Sequence, residues 1–234
     1  MKTYLFLLSM FFLQLLYGLL TTKEERKSIE NKTIEYAVES TGFSGIFLEK
    51  EVPAEPIDLG LSVKWASYNV GATVPEGYGG YYAWGEVEEK HFYDWTTYKH
   101  CDGSQKTCHE LLKEISGTEY DVAHVKWGGK WRMPTKDEAK ELFTRCNYVW
   151  TKVNGVQGVK FVAKNGNSIF FPNSGYRKNK DLYDRGLYGC YWTGTRTSHL
   201  KHGNAFNMAF IERYKGWNEN YRSGGRSIRP VLDE

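Results

Sequence analysis

Four cysteines and six histidines are the first residues to weigh for chemistry. Cys101 and Cys108 lie in the polar stretch His100-Cys-Asp-Gly-Ser-Gln-Lys-Thr-Cys-His109. A loop of that size can close in a disulfide, stabilising by about 2 kcal/mol where the geometry permits. The alternatives are two free thiols, or a metal held together with His100 and His109. Zinc cysteines normally come as close Cys-x-x-Cys pairs and no second such pair is present. The pair Cys101 and Cys108 is therefore read as a disulfide, and no metal or cofactor is expected. Cys146 and Cys190 have no local partner and fit buried thiols or a long-range bridge. His199 and His202 share a loop without a third ligand. Glu86 with Glu88, and Asp181 with Asp184, read equally well as solvated charges or as acid–base pairs. No Gly-x-Ser-x-Gly elbow, His-Glu-x-x-His pair or phosphate-cradling glycine loop occurs. No catalytic residue is assigned.

The richer inventory is one of binding. Between Asp181 and Tyr221 stand Tyr183, Tyr188, Asn204, Asn207, Tyr214, Trp217, Asn218 and Tyr221. Rigid aromatic rings supply contact area at low entropic cost, and amides supply adaptable hydrogen bonds, so this mixture suits a glycan or a cell-surface protein. Arg177 and Arg226 are added as clamps for an anion or carboxylate. Arg132 and Arg229 are read instead as bonding loop carbonyls that the sheets leave unpaired. Alternation assigns Trp192, Phe206 and Phe210 to the core, and Trp217 and Tyr221 to the surface.

Short strands must position these residues. Leu61, Val63 and Trp65 alternate along Leu61-Ser-Val-Lys-Trp-Ala66, and glycines bound the aromatic run Gly79-Gly-Tyr-Tyr-Ala-Trp-Gly85. Gly158–Ala163 and Ser168–Phe171 flank Asn165-Gly166, a pair suited to a tight primed hairpin turn. Further strands are expected at Tyr191–Thr193, Ala205–Phe210 and Ser227–Val231. The clearest helix is Lys136–Arg145, with Thr135 as N-cap, Glu138 completing a capping box, and Ala139, Leu142 and Phe143 on one face. A second helix is expected from Cys108 to Ile115.

At 234 residues the chain allows one good-sized domain with a short appendage. A formal charge of +3 is too small to argue for nucleic acid. The mean hydropathy of -0.57 excludes a polytopic membrane protein, and 41% hydrophobic residues are enough for a core. Lys2 followed by the apolar run Tyr4–Leu20 reads as a secretory signal over residues 1–22. Export to the periplasm, cell surface or medium follows, with membrane contact only if that segment stays uncleaved. Residues 23–56 read as a linker or tether, the strand-like stretches 33–38 and 42–48 within it. Residues 57–234 form the domain.

Particular blocks of that domain resemble a known family. They are Asp58-Leu-Gly-Leu-Ser-Val-Lys-Trp-Ala66, Asn69-Val-Gly-Ala72, Tyr78-Gly-Gly-Tyr-Tyr-Ala-Trp-Gly-Glu86 and Asp121-Val-Ala-His-Val-Lys-Trp-Gly-Gly-Lys-Trp-Arg-Met-Pro-Thr135. Ser174-Gly-Tyr-Arg177, Gly189-Cys-Tyr-Trp-Thr193 and Gly225-Arg-Ser-Ile-Arg-Pro-Val231 complete the set. Together they resemble the Fibrobacter succinogenes major paralogous domain, a secreted bacterial module of the formylglycine-generating-enzyme-like, C-type-lectin-fold superfamily. The resemblance spans about residues 57–232. It implies an α+β, C-type-lectin-like fold of twisted antiparallel strands with one or two flanking helices and long loops. The superfamily's oxidases use a close cysteine pair near the C-terminal end, and here no cysteine follows Cys190. Phe171-Pro-Asn173 and Trp217-Asn-Glu219 echo the sugar-binding motifs of calcium-dependent lectins, but Phe171 stands where a carboxylate is needed. The expectation is an exported, non-catalytic recognition module that binds through its C-terminal loops without a metal. The alternatives are a structural or adhesive surface component and, further off, a relative of the oxidases.

Overall fold

Residues 51–197 and 203–233 are described in the computed structural model of the chain. The apolar leader, the strand-like stretches 33–38 and 42–48, and His199 and His202 lie outside the described residues. Residues 51–56, the end of the segment read as a tether, pack on the domain. Ala54 is buried, Glu51 accepts from Trp127 Nε1, and Pro56–Ile57 forms strand β1.

Most runs of a few apolar residues between glycines and asparagines pair with their sequence neighbours, since a short loop closes at small entropic cost. The last strand, Val231–Leu232, instead pairs with distant ones. The result is several small antiparallel sheets. β1 joins β2 (Lys64–Ala66), β12 (Val231–Leu232) and β3 (Trp131–Arg132) in the order β1-β2-β12-β3. β4 (Asn147–Val153), β5 (Val156–Val162) and β6 (Ser168–Pro172) form a meander. β7 (Tyr176–Lys178) and β8 (Asp181–Tyr183) make a hairpin, and β9 (Gly189–Arg196), β10 (Asn204–Ile211) and β11 (Tyr214–Tyr221) a second meander. Two α-helices accompany them among the described residues, α1 (Val122–Trp127) and α2 (Lys136–Arg145).

The expected α+β, C-type-lectin-like architecture is overturned by this mostly β structure. The physical reason is limited helix-forming capacity. Only Lys136–Arg145 combines a cap, a polar face and an apolar stripe. Thr135 Oγ1 accepts from Glu138 N and Glu138 returns the bond to Thr135 N, as the sequence predicts. α1 lasts six residues because Gly128 and Gly129, at φ 70° and 60°, end it. The stretch Cys108–Ile115 is not helical; a 3-10 turn at Gln105–Thr107 precedes it, and Glu114 bridges to Thr195.

Turn chemistry also departs from the expectation in one place. At Asn165-Gly166 only the glycine has positive φ, and Gly166 N donates to Ala163 O, so the loop is wider than a primed turn. The primed geometry occurs instead at Asn154-Gly155, φ 48° and 82°, which joins β4 to β5 with Val153 opposite Val156. The aromatic run Gly79–Gly85 makes only an isolated bridge, Tyr82 to Arg226. Tyr81, Tyr82 and Trp84 are all buried, so no exposed face exists to impose alternation.

Both faces of the β9–β10–β11 sheet are used. Tyr191, Met208 and Phe210 point into a core shared with α2 and the β4–β5–β6 sheet. Trp192 and Ala205 point into a second core with Trp84, Trp127 and Ile228. Loop backbone near these cores is satisfied by buried side chains. Asp121 accepts from the N–H groups of Gly117, Ala123, His124 and Met133. Arg229, fully buried over the Phe171 ring, donates to Asn69 Oδ1 and to the carbonyls of Ala66, Ser67 and Phe170. Arg132 pairs with Glu138 and Asp233, tying β3 to α2 and the C-terminal end.

Candidate functional site

Where the second face of the β9–β10–β11 sheet leaves the core it floors a cavity of about 780 Å³. Its walls follow from strand register. Asn207 pairs with Asn218 and Trp192, and Ala209 with Gly216 and Cys190, so Cys190, Asn218 and Asn220 share one face. Asn220 Nδ2 donates to the buried Asn207 Oδ1 at 2.7 Å, which fixes the amide from behind. The β7–β8 hairpin forms the opposite wall with Tyr176, Arg177 and Lys178, and Tyr93, Asp94 and Trp95 form a third.

Backbone bridges hold the hairpin in place. Arg177 exchanges bonds with Gly225, and Asn179 with Tyr93. Asn179 turns the chain at φ 53°, and Gly175, at φ 65°, lies so close to Tyr183 O that no side chain fits there. Tyr176 and Tyr183 stack at 5.5 Å with planes 19° apart. Tyr188 projects from the loop before β9, and its hydroxyl accepts from Asn218 Nδ2 at 3.0 Å.

Arg226 and Cys190 meet at the base. The Arg226 Nε donates to Cys190 Sγ at 3.1 Å, and Asn207 Nδ2 approaches the same sulfur at 3.3 Å. Burial pushes the Cys190 thiol up, with the guanidinium acting against that shift. The Arg226 guanidinium lies 4.2 Å from the Trp192 ring centroid, and its Nη1 is buried without a hydrogen-bond partner. Burial likewise raises the hydroxyls of Tyr176 and Tyr188, which stay neutral donors and acceptors. At the rim, slight burial opposes ionisation of Asp94, but bonds from Thr96 and Thr97 hold it below the usual carboxylate range.

Of the residues singled out from the sequence, Arg177, Tyr188, Asn218, Tyr221 and Arg226 line the cavity. Tyr183 backs it through Tyr176, and Asn207 through Asn220. The other three fall elsewhere. Asn204 is buried at the start of β10, and Tyr214 is exposed at the opposite end of β11. Trp217 pairs with Met208 and so faces the other side of the sheet, where it stacks 6.2 Å from Phe143 of α2. It is half-buried against the core and has no place in the cavity. Phe206, expected in the core, is partly exposed under Lys136. Tyr214–Tyr221 is a strand, where loops were expected to carry the ligand contacts.

Sequence reasoning missed Tyr93, Asp94, Trp95, Tyr176 and Ser223 as lining residues. Their only signal was position: Tyr176 and Arg177 are adjacent, and Ser223 precedes the Gly224-Gly225 pair. Other residues weighed for chemistry are structural. Glu86 is buried in an ion pair with Lys90 and accepts from Lys99 N. His100 Nε2 lies 2.9 Å from Gly85 O, and His109 pairs with Asp102. Phe171 is fully buried among the rings of Trp65, Phe161 and Tyr191. Cys101 and Cys108 face each other across a β-bridge as free thiols, and Cys146 and Cys190 are buried and free. Comparison of the chain with family models, curated proteins and solved structures found no match.

Proposed function

We propose that the chain is an exported, non-catalytic recognition module that binds a glycan in the cavity between the β7–β8 hairpin and the β9–β10–β11 sheet. The observation that carries this reading is the lining itself. Tyr221 and Trp95, 5.5 Å apart, form an aromatic wall, with the amides of Asn218 and Asn220 beside it. A sugar ring presents an apolar face to aromatic carbons and hydroxyls to amides, and this lining offers both within one concave space. The resemblance of residues 57–232 to a secreted bacterial module supports export, as does the apolar run after Lys2.

A glycan array probed with the secreted chain, with calcium and again with chelator, tests the reading. Binding is expected to survive chelation and to weaken about tenfold or more in Tyr221→Ala, the scale of an aromatic hot spot. Trp217→Ala is expected to lower stability and leave the affinity of the folded fraction unchanged. Absence of binding to every glycan, or equal loss in both variants, would count against the cavity as the site.

A further inference from the structure

Within the glycan reading, we propose that the cavity selects a sugar bearing a carboxylate, with Arg226 as its counter-charge and Arg177 as a second cation on the wall. Arg226 is only 5% exposed, yet among the described residues no carboxylate lies within ion-pair distance of it or of Arg177. A buried guanidinium normally has an anionic partner, because removing the charge from water is costly. Here Nε is bound to a thiol and Nη1 to nothing. The ring of Trp192 offsets part of the desolvation and supplies no directed acceptor.

Gly224 packs directly against that unpartnered nitrogen. A Cβ at Gly224 would stand 2.8 Å from Arg226 Nη1, too close for both to stay in place, so glycine there lets the guanidinium sit at the cavity's base. Gly224 and Ser223 line the cavity together with Arg177 and Lys178. The charges facing the site are Arg177, Lys178 and Arg226 against Asp94 and Asp184. The bonds from Thr96 and Thr97 orient Asp94 without removing its charge, so three cations face two carboxylates and the lining carries one net positive charge. A planar guanidinium fork matches the two oxygens of a carboxylate, whereas a neutral hydroxyl would leave the charge unanswered. Uronic acids and sialic acids share this group on a sugar ring.

Calorimetric titration of the whole secreted chain decides the matter with four probes: trigalacturonate, its methyl ester, sialyllactose and lactose. In the wild-type chain at least one acid is expected to bind about tenfold or more tighter than its neutral counterpart, the size of a charge-assisted hydrogen bond. Arg226→Gln is expected to bring the pair within about twofold of each other while neutral binding persists. Gly224→Ala tests the same point without removing the buried cation. Its added methyl displaces Nη1 at a φ that side chains accept, so it decides the question if Arg226→Gln fails to fold. Equal binding of acid and ester by the wild-type chain would overturn the carboxylate proposal and leave the glycan reading standing. An acid preference untouched by both variants would also overturn it, by locating the carboxylate elsewhere. Failure of every sugar to bind would remove both readings together.

Discussion

Asp121 is the residue whose environment states its role most directly. Its two oxygens accept from four backbone N–H groups, two at the start of α1 and one each from Gly117 and Met133. A buried carboxylate could be mistaken for a catalytic acid, but the donors it accepts from are all main chain and it does not line the cavity described above. Asp121→Ala is expected to lower unfolding free energy by about 3 kcal/mol, combining a lost N-cap with two further unpaired N–H groups. Urea denaturation measures this, and a loss below about 0.5 kcal/mol would contradict the assignment. Arg229 belongs to the same type, a cation spent on three carbonyls and one amide, and burial brings its pKa down to about 10. Arg226 differs from Arg229 by what is missing around it. Both stand in the block Gly225-Arg-Ser-Ile-Arg-Pro-Val231, where the sequence reading gives Arg226 the clamp and Arg229 the loop carbonyls, and the packing gives Arg229 those carbonyls.

At the scale of elements, α2 and the β5–β6 hairpin were legible because their signals are local: a capping box, an apolar stripe, alternation and a glycine turn. β11 was not, since Tyr-Lys-Gly-Trp-Asn-Glu-Asn-Tyr has no apolar alternation and becomes a strand only by pairing along the whole of β10. The loop from His100 to His109, where a disulfide is expected from the sequence, holds two free thiols placed face to face. His109 N donates to His100 O at 2.8 Å, and Cys101 and Cys108 sit opposite each other in the narrow, non-hydrogen-bonded position of an antiparallel bridge. That spacing suits a cross-strand disulfide. Air oxidation of the folded chain is expected to reduce the thiols titratable after denaturation from four to two. The oxidised wild type should then exceed Cys101→Ser in stability by about 2 kcal/mol, a difference that reductant abolishes. Four titratable thiols after prolonged oxidation would rule the bridge out. The Cys101 thiol is raised above its ordinary range by burial, so closure should quicken with rising pH.

For the molecule as a whole, buried tyrosines set the behaviour in alkali. Burial pushes Tyr93 and Tyr148 up to about 12 from 10.0, and their hydroxyls donate to the carbonyls of Tyr81 and Ile211. The folded state therefore holds these protons more tightly than the unfolded state. Their stabilisation is complete below pH 10 and is lost as pH rises from 10 toward 12. Denaturation midpoints should be level on the near side of that window and fall across it, with part of the tyrosinate absorbance appearing only as the chain unfolds. Full tyrosine ionisation near pH 10 with the fold intact would refute this.

Residue types and local spacing by themselves determined the domain's strand-rich character, the capped helix, the absence of any recognised catalytic motif and the aromatic–amide inventory of residues 181–221. These depend on interactions between residues a few positions apart, which a single sequence displays. Only the tertiary structure decided which members of that inventory share a cavity. Trp217 and Asn218 are adjacent in the chain and stand on opposite faces of one sheet, one against Phe143 and the other against Tyr188. Tyr93, Arg177 and Gly225 come together only through backbone bridges between distant segments. The number of small sheets, and the lone guanidinium at the cavity's base, were settled in the same way. Long-range pairing depends on which partners are left unsatisfied after local structure forms, and that is a property of the whole packed chain.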